Sequence, residues 1–296
     1  MSVPDTAFHK LVISMSTSRQ VRFLFWNVKR RNLGDHLREL ADAHNPDVVI
    51  LCEPPGRWRR ILDELNRDRD ERQFLDDPLG EQVQSRFTIF SRISSNAVEP
   101  IKTTDRAAFW ALNEPVGLLL VAVHGPDRRN SKASDRNLFA RHTSDQIRQI
   151  EEERRHRRTI VVGDFNINPY EEGMMGAGMF HAAMTSRTAR RGERQAQGVP
   201  YPLFYNPMWS LFGDRTPGPA GTFYHCSPGA TARDWHMLDQ LIMRSELIDS
   251  FHSIEIVAQA GSQSLLTREG LPDKAGASDH LPLLFHFEFH AGESNE

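Results

Sequence analysis

Six short polar clusters sit beside apolar, strand-like runs: Trp26-Asn27-Val28, Glu53, His124, Gly163-Asp164-Phe165-Asn166, Asp239 and Ser278-Asp279-His280. Their residue types suit hydrolysis of a phosphodiester. That reaction needs an activated water, neutralised charge on the phosphate and relief for the leaving oxygen. Glu53, Asn27 and Asp279 offer the few hard oxygens that Mg²⁺ prefers, with Mn²⁺ able to take its place. Asp164 offers a base to orient water, and Asn166 an amide for that water or a phosphate oxygen. His280, with Asp239 as its carboxylate partner, suits stabilisation of phosphorane-like charge, and His124 is a second imidazole. Alone, each cluster reads as easily as a polar turn at a strand end. In their observed order they reinforce one another.

Apolar runs must position these groups. Asn27 ends the run 21–26, Glu53 follows 48–52, His124 follows 118–123 and Asp164 follows 159–163. Polar groups at the downstream ends of β-type runs are expected to converge on one edge of a sheet, where α/β proteins place their sites. The pattern strand–helix–strand occurs twice. The first copy uses Leu33, Leu37, Leu40 and Ala41 as one helix face and ends at Glu53. The second has a helix over about 134–154, with Leu138, Ile147 and Ile150, and ends at Asp164. The repeat predicts two similar layers packed face to face. Between them lie a helix carrying Trp58, Ile61, Leu62 and Leu65 and a strand at 87–90, and Asn168-Pro169 fit a helix start. Strands are expected again at 237–243, 254–258 and 283–289, more than one doubly wound sheet needs, which favours two sheets with outer helices.

The clusters resemble the endonuclease/exonuclease/phosphatase superfamily, the deoxyribonuclease-I-like fold, in order along most of the chain. "FLFWNV" is similar to its opening strand with Asn, and "DVVILCEP" to the strand ending in a metal-binding Glu. "VGDFNIN" resembles its Gly-Asp-Phe-Asn signature, "LDQLIM" its Asp-bearing late strand and "SDHLPLLF" its closing motif. "LLLVAVHGPD" is similar to the branch whose strand ends in His. The resemblance implies an α/β fold, a four-layer sandwich of two packed mixed β-sheets flanked by helices. It implies Asn27, Glu53 and Asp279 at the metal, Asp164 as base or water-positioner, and Asn166 on phosphate. It also implies Asp239 orienting His280, and His124 as second imidazole. Two departures stand out. Lys29 replaces the acidic or small residue of many relatives, and Ser85 replaces the acid that partners the second His, leaving Asp76 or Asp77 as substitutes.

With 296 residues, 39% hydrophobic and 25% charged, the composition is that of a soluble globular protein. One domain over 20–290 is expected, with 1–19 a loose extension and 291–296 a polar tail. Two cysteines, Cys52 and Cys226, make no disulfide framework, and no run approaches a membrane span. A cytoplasmic protein without a membrane segment is expected. The net charge of −3 hides local asymmetry. Residues 128–158 hold ten Arg or Lys against five Asp or Glu, much of it readable as the solvated face of a helix. Arg187, Arg190, Arg191 and Arg194 lie in a long connection, 172–235, taken as loops shaping substrate entry. With Tyr201, Phe204, Tyr205 and Trp209 beside them, they suit a phosphate backbone and stacked bases, or else the aromatics form a small core. The expectation is a Mg²⁺-dependent nuclease, an endonuclease with DNA favoured as substrate. The alternatives are a phosphoesterase for a lipid or small phosphorylated head group, and a silent binding module of the same fold.

Overall fold

The computed structural model describes residues 18–69, 73–75, 86–94, 97–226, 232 and 234–290. Its first half contains β1 (Ser18–Asn27), α1 (Gly34–His44), β2 (Val48–Cys52), α2 (Arg59–Asn66), β3 (Phe87–Ser91), β4 (Val98–Thr103), β5 (Ala107–Leu112), β6 (Leu118–His124), α3 (Ala133–Arg154) and β7 (Thr159–Asp164). Shorter elements follow. They are α4 (Glu172–Met175), β8 (Ala182–Ala183), α5 (Ser186–Ala189), β9 (Glu193–Ala196), β10 (Val199–Pro202), β11 (Phe204–Tyr205), β12 (Phe223–Tyr224) and β13 (Trp235–His236). The chain ends with β14 (Asp239–Arg244), β15 (Phe251–Ile256), β16 (Gln259–Ala260), β17 (Gln263–Ser264) and β18 (Leu283–His290).

These strands build two large sheets, one of five strands in the order β15-β18-β1-β2-β3 and one of seven in the order β4-β5-β6-β7-β14-β11-β8. Alternation along each strand sends successive side chains to opposite faces. Phe23, Phe25, Val48, Ile50 and Ile89 of the first sheet meet Trp110, Leu120, Ile160, Val162 and Leu241 of the second in the central core. The opposite face of the first sheet, with Leu24, Val49, Leu51 and Phe90, packs on Leu37, Leu40, Ile61 and Leu65 of α1 and α2. The opposite face of the second, with Phe109, Val121, Val123 and Val161, packs on Phe139, Ala140, Ile147 and Ile150 of α3. The result is a four-layer α/β sandwich. Both faces of the central strands are buried, hence their unbroken apolar sequences.

The two expected strand–helix–strand units are present. β1 pairs in parallel with β2 across α1, and β6 with β7 across α3. They lie in different sheets, so the expectation of a single converging sheet edge is corrected: the groups meet where two sheets face each other. On α3 the buried face uses Phe139, while Leu138 is exposed. The helix expected from Asn168 begins only at Glu172. Asn168 instead accepts a hydrogen bond from Met237 N at 3.0 Å, tying the loop after β7 to the approach to β14. Residues 172–235 are less loop-like than expected, because β8 and β11 extend the seven-stranded sheet and β9–β10 form a hairpin. At the N-terminus, Ser18 and Arg19 already belong to β1, opposite His290 and Phe289. The remaining extension, 1–17, and the tail, 291–296, lie outside the described residues.

One buried ion pair fastens α3 to the sheet. Arg244, at the end of β14, donates to Glu151 of α3 through Nε at 2.8 Å and Nη2 at 3.1 Å. Thr159 Oγ1 donates to the same carboxylate at 2.7 Å. Removing one member of such a pair strands the other charge away from water. Glu151→Ala is therefore expected to lower unfolding free energy by about 3–5 kcal/mol. Urea denaturation measures this, and a loss below about 1 kcal/mol would show the pair to be superficial.

Candidate active site

Strand direction decides which residues reach the site. β1, β2, β6 and β7 run toward it, so their last residues or the next ones arrive there: Asn27, Glu53, His124 and Asp164. β14 and β18 are antiparallel to their neighbours β7 and β1, so they contribute from their beginnings. Asp239 opens β14 directly opposite Asp164, while Asp279 and His280 precede β18. In the parallel register His124 also stands beside Asp164. Asp164 is thus flanked by an imidazole on one strand and a carboxylate on the other.

Asp164 is buried at the seam between the sheets. Asn27 Nδ2 donates to its Oδ2 at 3.1 Å from the opposite sheet, and Asn166 N donates to its Oδ1 at 3.0 Å. His280 Nε2 and His124 Nε2 lie 3.8 and 3.7 Å from the same Oδ2. Burial raises the Asp164 pKa to about 7; Asp239 pushes it the same way, while His280, Asn166 and Asn27 oppose. Asn166 takes a left-handed backbone (φ 53°) and donates Nδ2 to Gly125 O at 3.2 Å. The other Nδ2 hydrogen is left for a further acceptor. Arg128 holds this turn, donating to Asn166 O at 3.2 Å while paired with Glu171.

The two histidines differ in kind. His280 donates through Nδ1 to Asp239 Oδ2 at 2.8 Å, and its ring lies tilted against Phe223 with centroids 4.8 Å apart. Its backbone carbonyl accepts from Trp26 Nε1 at 2.8 Å. Burial opposes its charge, yet Asp239 and Asp164 together lift its pKa to about 10, so it is an imidazolium at neutral pH. His124 shows the reverse. Burial, Arg86 and His280 lower its pKa to about 3. Arg86 Nη1 lies 3.3 Å from His124 Nδ1, and a guanidinium can only donate, so Nδ1 accepts and Nε2 carries the proton. That proton faces Glu53 Oε1 at 3.4 Å. Ser85, and Asp76 and Asp77 as the expected partners of His124, lie outside the described residues; among the described ones, Arg86 stands at its Nδ1.

Hard oxygens suited to a divalent cation come from Glu53, Asn27 Oδ1 and Asp279. The fit rests on the donor chemistry and on Asp279 Oδ1, which is buried without a hydrogen-bond partner. Burial works against ionisation of Asp279, but His280 and Lys29 outweigh it and hold the carboxyl below its ordinary range. Asp164, Asp239 and His280 also bring ligand-type atoms within 4.8 Å of one another. This buried group could hold an ion only with His280 deprotonated, since a ring protonated on both nitrogens has no lone pair to give.

The Arg187–Arg194 run does not join this site. β11 pairs with β14 through Phe204↔Arg244 and Tyr205↔Met243, at the end of β14 away from Asp239. Leu203 N donates to Gly192 O, which brings the arginine run to that same end. A six-residue strand, about 17 Å, separates it from Asp239. Arg190 is committed to Asp249 through two hydrogen bonds of 2.9 and 2.7 Å, while Arg187, Arg191 and Arg194 face solvent. Phe204 packs in a core and carries Arg244 3.7 Å above its ring, so it is not a base-stacking platform. Conversely, Arg86, Arg30 and Arg106 lie around the cleft and were not among the expected site residues. "SRF" and the basic run after Asn27 signal Arg86 and Arg30 in sequence; Arg106 carries no such signal.

The family model described as Endonuclease/Exonuclease/phosphatase family matches residues 24–234. Among curated proteins none matches the sequence. D. rerio TDP2 complexed with single strand DNA product is 15% identical with a TM-score of 0.55; the match covers 90% of this chain and 98% of that one. For C. elegans TDP2 the values are 13% identity, TM-score 0.54, and 90% and 75% coverage. An endonuclease/exonuclease/phosphatase family protein from Bacteroides thetaiotaomicron is 12% identical, TM-score 0.54, with 92% and 99% covered. At these identities the likeness is one of fold.

The His280 assignment is measurable. ¹⁵N NMR of the imidazole at pH 7.5 is expected to show both nitrogens protonated. Asp239→Asn removes the main charge that raises the His280 pKa, so the value should fall by more than one unit. A neutral ring in the unaltered protein would contradict the assignment.

Proposed function

The chain belongs to the Endonuclease/Exonuclease/phosphatase family, and on that premise we propose that it is a divalent-metal-dependent phosphodiesterase that hydrolyses DNA. The observation that carries this reading is the buried carboxylate Asp164 held between Asn27, Asn166 and the imidazolium His280, beside Glu53 and Asp279. Glu53, Asn27 and Asp279 would hold the ion, Mg²⁺ or Mn²⁺. When bound, it would supply charge neutralisation on the phosphate and relief for the leaving oxygen.

The remaining work belongs to side chains. Asp164 orients a water and takes its proton, a task matched to a carboxylate whose pKa burial has brought near neutrality. His280 presents an Nε2–H beside that carboxylate and stabilises negative charge as it develops on the phosphorus oxygens. Asp239 keeps the ring charged and fixes its orientation. Asn166 directs its spare amide hydrogen at a phosphate oxygen. His124 acts as a neutral hydrogen-bond donor through Nε2, not as a proton source.

Two things support DNA as the substrate. Lys29, Arg30, Arg86 and Arg106 gather around the cleft from separate parts of the chain, which suits a polyanion. A neighbour in fold, D. rerio TDP2, is complexed with single strand DNA product. A second reading, a phosphoesterase for a lipid or small phosphorylated head group, is favoured by the distance of the Arg187–Arg194 run from the cleft.

Plasmid, single-stranded DNA, RNA, a phospholipid and an aryl phosphodiester, each with Mg²⁺ or EDTA, separate the readings. DNA is expected to be cleaved with Mg²⁺ only, and Glu53→Gln should remove that activity at saturating metal. Turnover of the lipid with DNA untouched would favour the second reading. No turnover in any arm would leave a binding module.

The pH profile tests Asp164. Rate should rise as Asp164 ionises near pH 7 and fall as His280 loses its proton near pH 10. A nearby divalent cation favours the ionised carboxylate, so raising Mg²⁺ should move the acid limb to lower pH. Asp164→Asn should abolish that limb together with most of the turnover. An acid limb that persists in Asp164→Asn would assign the base to another residue.

A further inference from the structure

Lys29 and Arg30, counted above only as part of the cleft's positive charge, each face a carboxylate assigned to the metal. They occupy consecutive left-handed residues (φ 49° and 58°) immediately beyond the strand end that carries Asn27. The loop is pinned on both sides. Lys29 N donates to Asn27 Oδ1 at 3.0 Å and Arg30 N to Glu53 O at 2.6 Å. Arg31 then donates to the carbonyls of Lys274 at 2.7 Å and Ala275 at 2.6 Å, and also to that of Ala277. The held backbone sends the two preceding side chains to different carboxylates: Lys29 Nζ pairs with Asp279 Oδ2, and Arg30 Nε lies 3.7 Å from Glu53 Oε2. Both carboxylates assigned above to the metal therefore face a cation from one loop. The cations are open to solvent, with side chains 56% and 76% exposed. Asp279, by contrast, is buried.

We propose that Lys29 and Arg30 couple metal binding to substrate binding: they compete with the divalent ion for Asp279 and Glu53, and a phosphodiester anion draws them away. This rests on the reading of Glu53 and Asp279 as metal ligands. A unit positive charge a few ångströms from a divalent ion opposes its binding, and that opposition fades once the cation turns to a phosphate oxygen. By linkage the effect is mutual, so the anion tightens the ion and the ion tightens the anion. Lys29 is thereby a device for admitting metal and substrate together.

Free Mn²⁺, read by its electron paramagnetic resonance signal, measures the coupling without turnover. The probes are a phosphorothioate dinucleotide, anionic and slowly cleaved, and the matching methylphosphonate, which is neutral. With the full-length protein, the phosphorothioate is expected to lower the Mn²⁺ Kd on the order of tenfold, and the methylphosphonate to leave it unchanged. Lys29→Asn with Arg30→Asn, a residue that tolerates the left-handed backbone, should tighten Mn²⁺ by a similar factor with no nucleotide present and should lose the coupling. Lys29→Arg, which keeps the charge, should behave like the unaltered protein. Thermal unfolding of each variant checks that it is folded. Mn²⁺ binding that Glu53→Gln abolishes but the double variant leaves unchanged would overturn the coupling alone. Absence of any Glu53-dependent Mn²⁺ site would overturn the metal reading and the coupling with it.

Discussion

A carboxylate buried at a seam between two sheets is the constraint on which the rest of this structure depends. Asp164 is 2% exposed, and an ionised group in such a place must be compensated from all sides. Its partners come from both sheets and from its own loop: Asn27 across the seam, Asn166 two residues on, and His280 nearby. Because Asn27 and Asp164 end strands in different sheets, their hydrogen bond also fixes how the sheets meet. Within the seven-stranded sheet, the ends of the neighbouring strands β6 and β7 also lie close together. A Cβ on Gly163 would stand 2.0 Å from Val123 O, and one on Gly125 2.0 Å from Phe165 O. Close backbone approach is what lets four strand ends share one small cleft.

Charge inside that cleft is sorted by neighbours and not by residue type. His280 and His124 are both buried and both lie near Asp164, yet one is held cationic and the other neutral. The difference lies on the far nitrogen of each ring. Asp239 accepts from His280 Nδ1, whereas Arg86 approaches His124 Nδ1. A carboxylate stabilises the protonated ring and a guanidinium opposes it. The same logic extends outward to Lys29 and Arg30, which counter the anionic side of the cleft.

The opposite end of the sandwich is organised differently. There the Glu151–Arg244 pair and the Arg190–Asp249 pair consume arginines in holding elements together. Here the buried Arg244 is a structural partner, whereas Arg187, Arg191 and Arg194 of the dense basic run face solvent away from the cleft. Strand direction makes the separation unavoidable: a residue at the start of β14 and one at its end stand on different ends of the molecule.

Much of the fold was legible in the sequence because each central strand is apolar on both faces and each outer helix keeps one apolar face. The repeated strand–helix–strand pattern and the two sheets follow from local patterning, and order along the chain singled out Asn27, Glu53, His124, Asp164, Asp239, Asp279 and His280 as candidates. Local patterning carries no information on what lies opposite. It therefore missed that the clusters meet across two sheets, that Phe139 and not Leu138 faces the core, and that Asn168 spends its side chain on Met237 instead of a helix. The Arg187–Arg194 run was assigned to the substrate on its proximity in sequence to Asp164. The antiparallel pairing of β11 with β14 carries it away. Arg86 stands in the "SRF" segment, but its effect on a histidine 38 positions distant could not be read there. Residue types and periodicity are written along the chain, but the field at a buried group is a sum over neighbours that only the packed sheets bring together.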